Sequence, residues 1–152
     1  MLSQRTIRNK ITASGVGLHS GKKVTLTFHP ADVNTGIIFR RIEGDKVIEI
    51  PALAKYVGDT TLSTSLERDG YKISTIEHLL SAIAGTGVDN CVIDCDGPEI
   101  PVMDGSSTEF VFLIQSAGIM EQDAAKKFIY VTKSVQVSRE DAVARINPYE
   151  GF

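Results

Sequence analysis

The sequence predicts an α+β fold in which a mostly antiparallel sheet carries two helices packed on one face. Three observations point to it. Most of the first 73 residues read as short strands with alternating polarity. Asp69-Gly70 is a hairpin signal, and two later segments have helical periodicity. With 152 residues, of which 42% are hydrophobic, the chain is long enough to bury a core.

The strand pattern is clearest in Lys23-Val-Thr-Leu-Thr-Phe-His29, where apolar and polar side chains alternate strictly. A period of two is typical of a half-buried strand. Asp69-Gly70 tolerates the positive φ of a two-residue turn, which predicts a hairpin there. Similar strands are predicted at residues 36–41, 46–50, 60–66 and 88–94.

Two helices are predicted after Ser74-Thr-Ile-Glu77 and Ser106-Ser-Thr-Glu109, because both segments fit the capping box. Gly85 and Gly118 are the predicted helix stops. In the first helix an apolar stripe should face the sheet, and His78 lies on the opposite side among small side chains. The second helix is apolar nearly all the way round, so we expect a further layer to cover both. The stripe consists of Ile76, Leu79, Leu80 and Ile83.

The C-terminal part changes character after Gly118. Residues 121–127 are polar and predict a linker between a first domain, 1–120, and the start of a second, 128–152. Three further strand-like segments have no helix to cover them, which is typical of a domain fragment. The pattern stops in its middle at Phe152, as expected of a truncated chain rather than a stand-alone module. The three segments are 128–132, 134–138 and 142–146.

Composition excludes several classes of function. A net charge of −3 and a pI near 5.6 disfavour nucleic-acid binding. There is neither a secretory signal nor an apolar run of about 18 residues, so a cytoplasmic protein is expected.

Cys91 and Cys95 would lie on one face of a strand, roughly 13 Å apart, which is too far for a disulfide. With no second pair for a zinc knuckle, we interpret both as small buried hydrophobes.

The pair Glu77-His78 has two interpretations on spacing alone. Glu77 is either the capping-box carboxylate or a catalytic group, and His78 either makes an ordinary hydrogen bond or binds a metal. One Glu-His pair is a weak metal signal, because zinc hydrolases usually need three protein ligands. His19 and His29 do not complete a set with recognisable spacing.

Three motifs then carry a resemblance that covers essentially the whole chain. Gly15-Val-Gly-Leu-His-Ser-Gly-Lys-Lys23, Ser74-Thr-Ile-Glu-His-Leu79, and Asp89-Asn90 through Pro98-Glu-Ile-Pro-Val-Met-Asp-Gly-Ser106 stand in the sequence in that order. In order and spacing they are similar to the N-terminal motifs of the UDP-3-O-acyl-N-acetylglucosamine deacetylases of bacterial lipid A biosynthesis. The resemblance implies two similar domains stacked with their helices in the middle, a β-α-α-β sandwich of which this chain would be half.

The resemblance also implies the chemistry. His78 would be a Zn²⁺ ligand, one of three from the protein, and Glu77 would be the general base that hydrolyses the N-acetyl group of an acylated UDP-amino-sugar. The other two ligands, in a His-x-x-x-Asp motif, and a general-acid histidine would come from the C-terminal half of the enzyme. We therefore expect negligible turnover and weak zinc affinity from the isolated polypeptide.

Three further positions follow from the same resemblance. Ser63 stands where several family members have a cysteine near the metal, which disfavours a second, inhibitory zinc because the soft thiolate is gone. Leu18 and Leu62 are candidate contacts for the acyl chain.

Two alternatives stay open. One is a non-catalytic binding module that retains the fold, and the other is an unrelated hydrolase that takes ligands from a partner chain. A reading frame that continues past Phe152 into a His-x-x-x-Asp motif would favour the deacetylase.

Overall fold

The computed structural model describes residues 2–151, which form eleven strands and two α-helices. The helices are α1, Glu77–Thr86, and α2, Thr108–Ala117, and a short 3-10 helix covers Ala54–Tyr56. No helix within the described range is long and apolar enough to cross a membrane. The strands are β1 Ser3–Ile7, β2 Ile11–Val16, β3 Lys23–Pro30, β4 Ile37–Glu43, β5 Lys46–Pro51, β6 Leu66–Arg68, β7 Tyr71–Ile73, β8 Cys91–Cys95, β9 Ile119–Ala125, β10 Val135–Arg139 and β11 Ala142–Ile146.

A five-stranded sheet forms the centre, in the order β2-β3-β8-β4-β5. Its pairs are antiparallel except β4 with β8, which run parallel. The inward side chains of β3 and β8 are fully buried, and Phe28 stands opposite Ile93. Leu79 and Phe110 of the two packed helices join them in one core. The predicted α+β class is confirmed.

The helix starts differ from the capping-box prediction. α1 begins at Glu77 after Ile76, and α2 begins at Thr108 after Ser107, and neither N-cap residue makes a side-chain capping bond. The carboxylate of Glu77 instead accepts a hydrogen bond from the backbone N–H of Thr64, 3.1 Å away in another loop. The capping boxes were therefore wrong. At α1 a tertiary partner replaces the local one, and at α2 the Ser106 hydroxyl accepts a hydrogen bond from the N–H of Thr108 at 3.0 Å instead.

The helix ends are partly as predicted. Gly118 follows the last residue of α2, as expected. α1 continues past Gly85 to Thr86, and Gly87 terminates it in the left-handed conformation at φ 73°. Gly87 can adopt this φ without a Cβ clash, which is why the stop lies there. Ala82, placed by periodicity near His78 on the outer face, is buried.

Residues 60–65 form a loop instead of the first part of the predicted strand. Asp59 holds this loop, because its Oδ1 accepts hydrogen bonds from the N–H and the hydroxyl of Thr61 at 3.0 and 2.6 Å. The Ser65 hydroxyl donates to the Asp59 carbonyl at 2.6 Å. Such local bonds compete with a strand ladder. The hairpin at Asp69-Gly70 is confirmed, since β6 and β7 pair on either side of it.

The segment 121–127, expected to be a polar linker, lies mostly within β9, which pairs antiparallel with β1. The polar composition of this segment did not indicate a strand. The side chain of β9 that points inward is an amide, and it forms hydrogen bonds within the fold. Gln122 Oε1 accepts from Asn90 Nδ2, and Gln122 Nε2 donates to the Ala31 carbonyl, both at 2.8 Å. Polar side chains can thus anchor a strand when every bond is satisfied.

The C-terminal residues form a β10–β11 hairpin whose side chains are all exposed. Residues 128–132, predicted as a strand, pair with no other strand in the described part of the chain. The backbone N–H and C=O groups of a strand need a neighbouring strand to bond to. Without one, an apolar sequence pattern does not by itself produce a strand.

We predict that the 152-residue chain self-associates or binds hydrophobic dyes. Ile129 keeps 96% of its surface exposed, and Phe112 on α2 keeps 68%. The β10–β11 hairpin adds unpaired edges that recruit other chains. Light scattering and dye fluorescence should be compared with a version ending at Lys127, which keeps β9. The shorter chain should lose the association that comes from the β10–β11 edges and should still bind dye through the exposed helix face. A full-length chain that stays monomeric at high concentration and binds no dye would contradict an uncovered layer.

Candidate functional site at the start of helix α1

Segments that are distant in sequence meet at the start of α1. The N–H of Ser74 donates to the Pro98 carbonyl, and the N–H of Ile100 donates back to the Ser74 carbonyl, both at 2.9 Å. The N–H of Val102 donates to the Val16 carbonyl at 3.0 Å. All three sequence motifs therefore lie side by side just before Glu77.

The carboxylate of Glu99 joins two of these segments, and its residue is only 1% exposed. Oε1 accepts from the N–H of His19 at 3.0 Å and from the Thr75 hydroxyl at 3.1 Å. Oε2 accepts from the N–H of Ser20 at 2.7 Å. Burial raises the pKa of this carboxyl, but the hydrogen bonds from His19, Ser20 and Thr75 outweigh it and hold the pKa below its usual value.

Gly17 makes room for this carboxylate. A Cβ built on Gly17 would lie 2.5 Å from Glu99 Oε2 and 2.3 Å from the Ser20 hydroxyl oxygen, closer than atoms can approach. The Gly15–Lys23 motif therefore contributes a turn that closes tightly around a buried negative charge.

Two residues beside the site have left-handed backbone conformations. Thr75 has φ 58° and Met103 has φ 54°. For a β-branched residue such as threonine this conformation is strained, and it persists only where surrounding contacts enforce it. Thr75 directly precedes Ile76 and Glu77, so its conformation sets the direction in which α1 begins.

Glu77 and His78 occupy the first turn of α1, Glu77 exposed and His78 half-buried. Glu77 Oε2 accepts the bond from Thr64, which ties the 59–65 loop to the helix. Asp104 lies close enough to His78 to interact electrostatically. Hydrogen bonds from Ser106 lower the pKa of Asp104, and His78 adds a smaller effect in the same direction.

The leucines predicted from the resemblance lie on the two loops attached to this site. Leu18, 61% exposed, precedes the His19 amide that Glu99 holds. Leu62, 78% exposed, and the half-buried Ser63 directly precede Thr64. Their positions next to the held residues leave both leucine side chains available to an apolar ligand.

The other histidine and cysteine candidates lie elsewhere. His29 Nε2 pairs with Asp94 Oδ2 at 2.8 Å, and Asp94 also binds Arg40 at 2.5 Å. Cys91 and Cys95 are buried and free, as predicted, and burial raises the pKa values of their thiols to about 12 and about 11. They stay protonated at neutral pH and are poor metal ligands.

No group of three or more His, Cys, Asp or Glu side chains within residues 2–151 is arranged to hold a metal ion. His78 follows Glu77 in the first turn of α1, and it interacts electrostatically with Asp104. Sequence reasoning missed Glu99, Thr75 and Asp104 as parts of this site. The one available signal was that all three lie inside the two later motifs. A single sequence does not reveal that a carboxylate is buried or that a φ angle is strained.

Comparison with known proteins identifies relatives along the whole chain. The family model described as LpxC, UDP-3-O-acyl N-acetylglycosamine deacetylase, matches residues 4–152. The chain is 58% identical over 152 residues to the UDP-3-O-acyl-N-acetylglucosamine deacetylase of Saccharophagus degradans, covering 100% of this chain and 50% of the relative. It is 57% and 56% identical to those of Hahella chejuensis and Stenotrophomonas maltophilia, with the same coverage. The chain thus spans about half the length of the curated relatives it matches.

Proposed function

Because the chain belongs to the LpxC family of UDP-3-O-acyl N-acetylglycosamine deacetylases, we propose that it supplies one part of the active site of a zinc-dependent deacetylase of lipid A biosynthesis. The reaction would hydrolyse the N-acetyl group of an acylated UDP-amino-sugar and leave acetate and a free amine. The observation that carries this proposal is the Glu77-His78 pair on the first turn of α1, which directly follows the point where the three motifs meet and is tied to the 59–65 loop.

The residues present fit zinc in part. His78 is a half-buried imidazole in the first turn of α1, which suits one nitrogen ligand of a zinc site. Since no set of three ligands is assembled within the described residues, the remaining ligands would come from the rest of the enzyme. When bound, zinc would polarise the amide carbonyl and make a water molecule more acidic.

Glu77 is the group of this chain that would move a proton. Its Oε2 is occupied by the Thr64 amide, whereas the structure records no partner for Oε1 within residues 2–151. A carboxylate held by one oxygen and free at the other can accept a proton from the attacking water without losing its orientation. The anchored oxygen gives Glu77 a fixed direction despite its exposure.

Substrate binding would use the loops on either side of this pair. Leu18 and Leu62 are exposed at the ends of segments that Glu99 and Glu77 hold, and we assign them contacts with the acyl chain. Ser63 next to Leu62 offers a hydroxyl instead of a thiolate, so we expect no second zinc there.

The proposal is tested by supplying the missing half. The chain should be mixed with the C-terminal half of the Saccharophagus degradans relative, and acetate release from the acylated UDP-amino-sugar should be measured. We expect release only when both parts are present, because each alone holds too few ligands. A complex that forms and binds the nucleotide sugar without releasing acetate would overturn the enzymatic proposal in favour of a binding module.

A further inference from the structure

The most heavily bonded side chain near the site has no role in the reaction just described. Glu99 lies in the Pro98–Ser106 motif, is almost fully buried, and uses both carboxylate oxygens. Taking a carboxylate out of water costs several kcal/mol unless hydrogen bonds compensate it. Such a group stabilises a fold less well than an apolar residue, so its position calls for another explanation.

The partners of Glu99 indicate what it does. Two are backbone amides, those of His19 and Ser20, in the turn that carries Leu18. The third is the hydroxyl of Thr75, the strained residue two positions before Glu77. The backbone around Glu99 is fixed to the same place, because Pro98 and Ile100 both bond to Ser74. The Glu99 carboxylate thus joins the His19-Ser20 turn to Thr75, which lies just before the first residue of α1.

We propose that Glu99 is a positioning residue, which keeps Thr75 left-handed and the His19-Ser20 turn closed and thereby directs Glu77 and His78 into the site. This inference rests on the proposed deacetylase function for its kinetic consequences but not for its structural ones. Glu99 makes no hydrogen bond to Glu77 or His78 within residues 2–151, and we assign it no catalytic role.

The geometry requires a carboxylate at this position. An amide at residue 99 could accept through one oxygen only, and its NH₂ group would face the donor N–H of Ser20 or of His19. Loss of a hydrogen bond to a buried charged group costs about 1.5–3 kcal/mol, which is roughly a tenfold to hundredfold change in an equilibrium. The substitution Glu99→Gln should therefore weaken the hydrogen bonds to the His19-Ser20 turn and to Thr75, while the size of the side chain stays the same.

Hydrogen exchange tests the structural part on the 152-residue chain without any enzyme assay. In Glu99→Gln, amides of residues 17–21, 59–66 and 74–80 should exchange about tenfold or more faster, while those of 24–28 in β3 stay unchanged. The Thr64 amide is the decisive reporter, because it bonds to Glu77 and not to Glu99. Exchange that is unchanged in all three segments, or faster everywhere including β3, would overturn the positioning role.

The kinetic consequence is tested by substituting Thr75, because this removes only one of the three hydrogen bonds to Glu99. In the reconstituted enzyme, Thr75→Val should lower kcat about tenfold or more and leave KM nearly unchanged, because the His19-Ser20 turn stays bound to Glu99. Thr75→Ser keeps the hydroxyl and should stay near wild type. Glu109→Gln, an exposed glutamate in the first turn of α2, is the control for the glutamine substitution.

The two variants should also be combined. If Glu99 acts on Glu77 through Thr75, the effect of Thr75→Val on kcat should nearly vanish in the Glu99→Gln background. Fully additive effects, or a Thr75→Val enzyme with normal kcat, would overturn the proposal. An inactive wild-type complex would count against the deacetylase function alone, and the exchange experiment would still decide the role of Glu99.

Discussion

Glu77→Gln is expected to reduce turnover of the reconstituted enzyme by about a hundredfold or more while zinc content and folding stay near normal. The amide oxygen of glutamine can still accept the bond from the Thr64 N–H that holds this side chain at 3.1 Å. It cannot take a proton from the attacking water, which is the task of a general base. The substitution thereby separates the observed contact of Glu77 with the loop from its proposed proton transfer.

Glu109→Gln is the matched control for this prediction. It makes the same substitution in the first turn of α2, where the glutamate is exposed. Acetate release at saturating substrate is the measurement, and a thermal unfolding curve checks the fold. A Glu77→Gln enzyme that works nearly as fast as the control would leave Glu77 as a structural contact only.

His78→Ala is expected to reduce the zinc content of the reconstituted complex from roughly one ion to almost none, because a zinc site with one of three protein ligands removed is seldom stable. Elemental analysis of the purified complex after dialysis gives the stoichiometry directly. Activity should be lost in parallel. The experiment is independent of the acyl chain and of the nucleotide.

His29→Ala serves as the control for the metal prediction. His29 pairs with Asp94 and lies outside the cluster around α1, so its removal should leave zinc binding intact. Equal zinc in the His78→Ala and His29→Ala complexes would exclude His78 as a ligand. Loss of zinc in both would instead indicate that the fold had been damaged.

Much of the fold could be predicted because the relevant signals are local. Strict alternation in β3 and the Asp69-Gly70 turn each depend on residues that are adjacent in the chain. The same holds for the apolar stripe of α1, of which Ile76, Leu79 and Ile83 are buried. Alternation depends on the pleat of a strand and the stripe on the pitch of a helix, and neither needs knowledge of a partner.

Two of the failures, the linker and the capping box of α1, share one physical cause. β9 was interpreted as a linker because its polarity suggested solvent, yet Gln122 bonds to Asn90 and to Ala31, which lie 32 and 91 residues away. The capping box of α1 failed for the same reason, since Glu77 bonds to Thr64 in another loop. A hydrogen bond between distant segments leaves no periodic trace in the sequence, so polar residues that act through such bonds look like surface residues.

The fold class and the family follow from the sequence alone, and so does the choice of Glu77-His78 as a candidate pair, because motif order and short-range periodicity are written along the chain. How the segments around that pair are held together is visible only in the folded structure. Glu99 lies 80 residues from His19 and 24 from Thr75, and its charge is tolerated only because three donors converge on it inside the fold. Convergence of this kind depends on the packing of β2, α1 and the loop before α2 together, since each donor belongs to a segment that would otherwise bond to water.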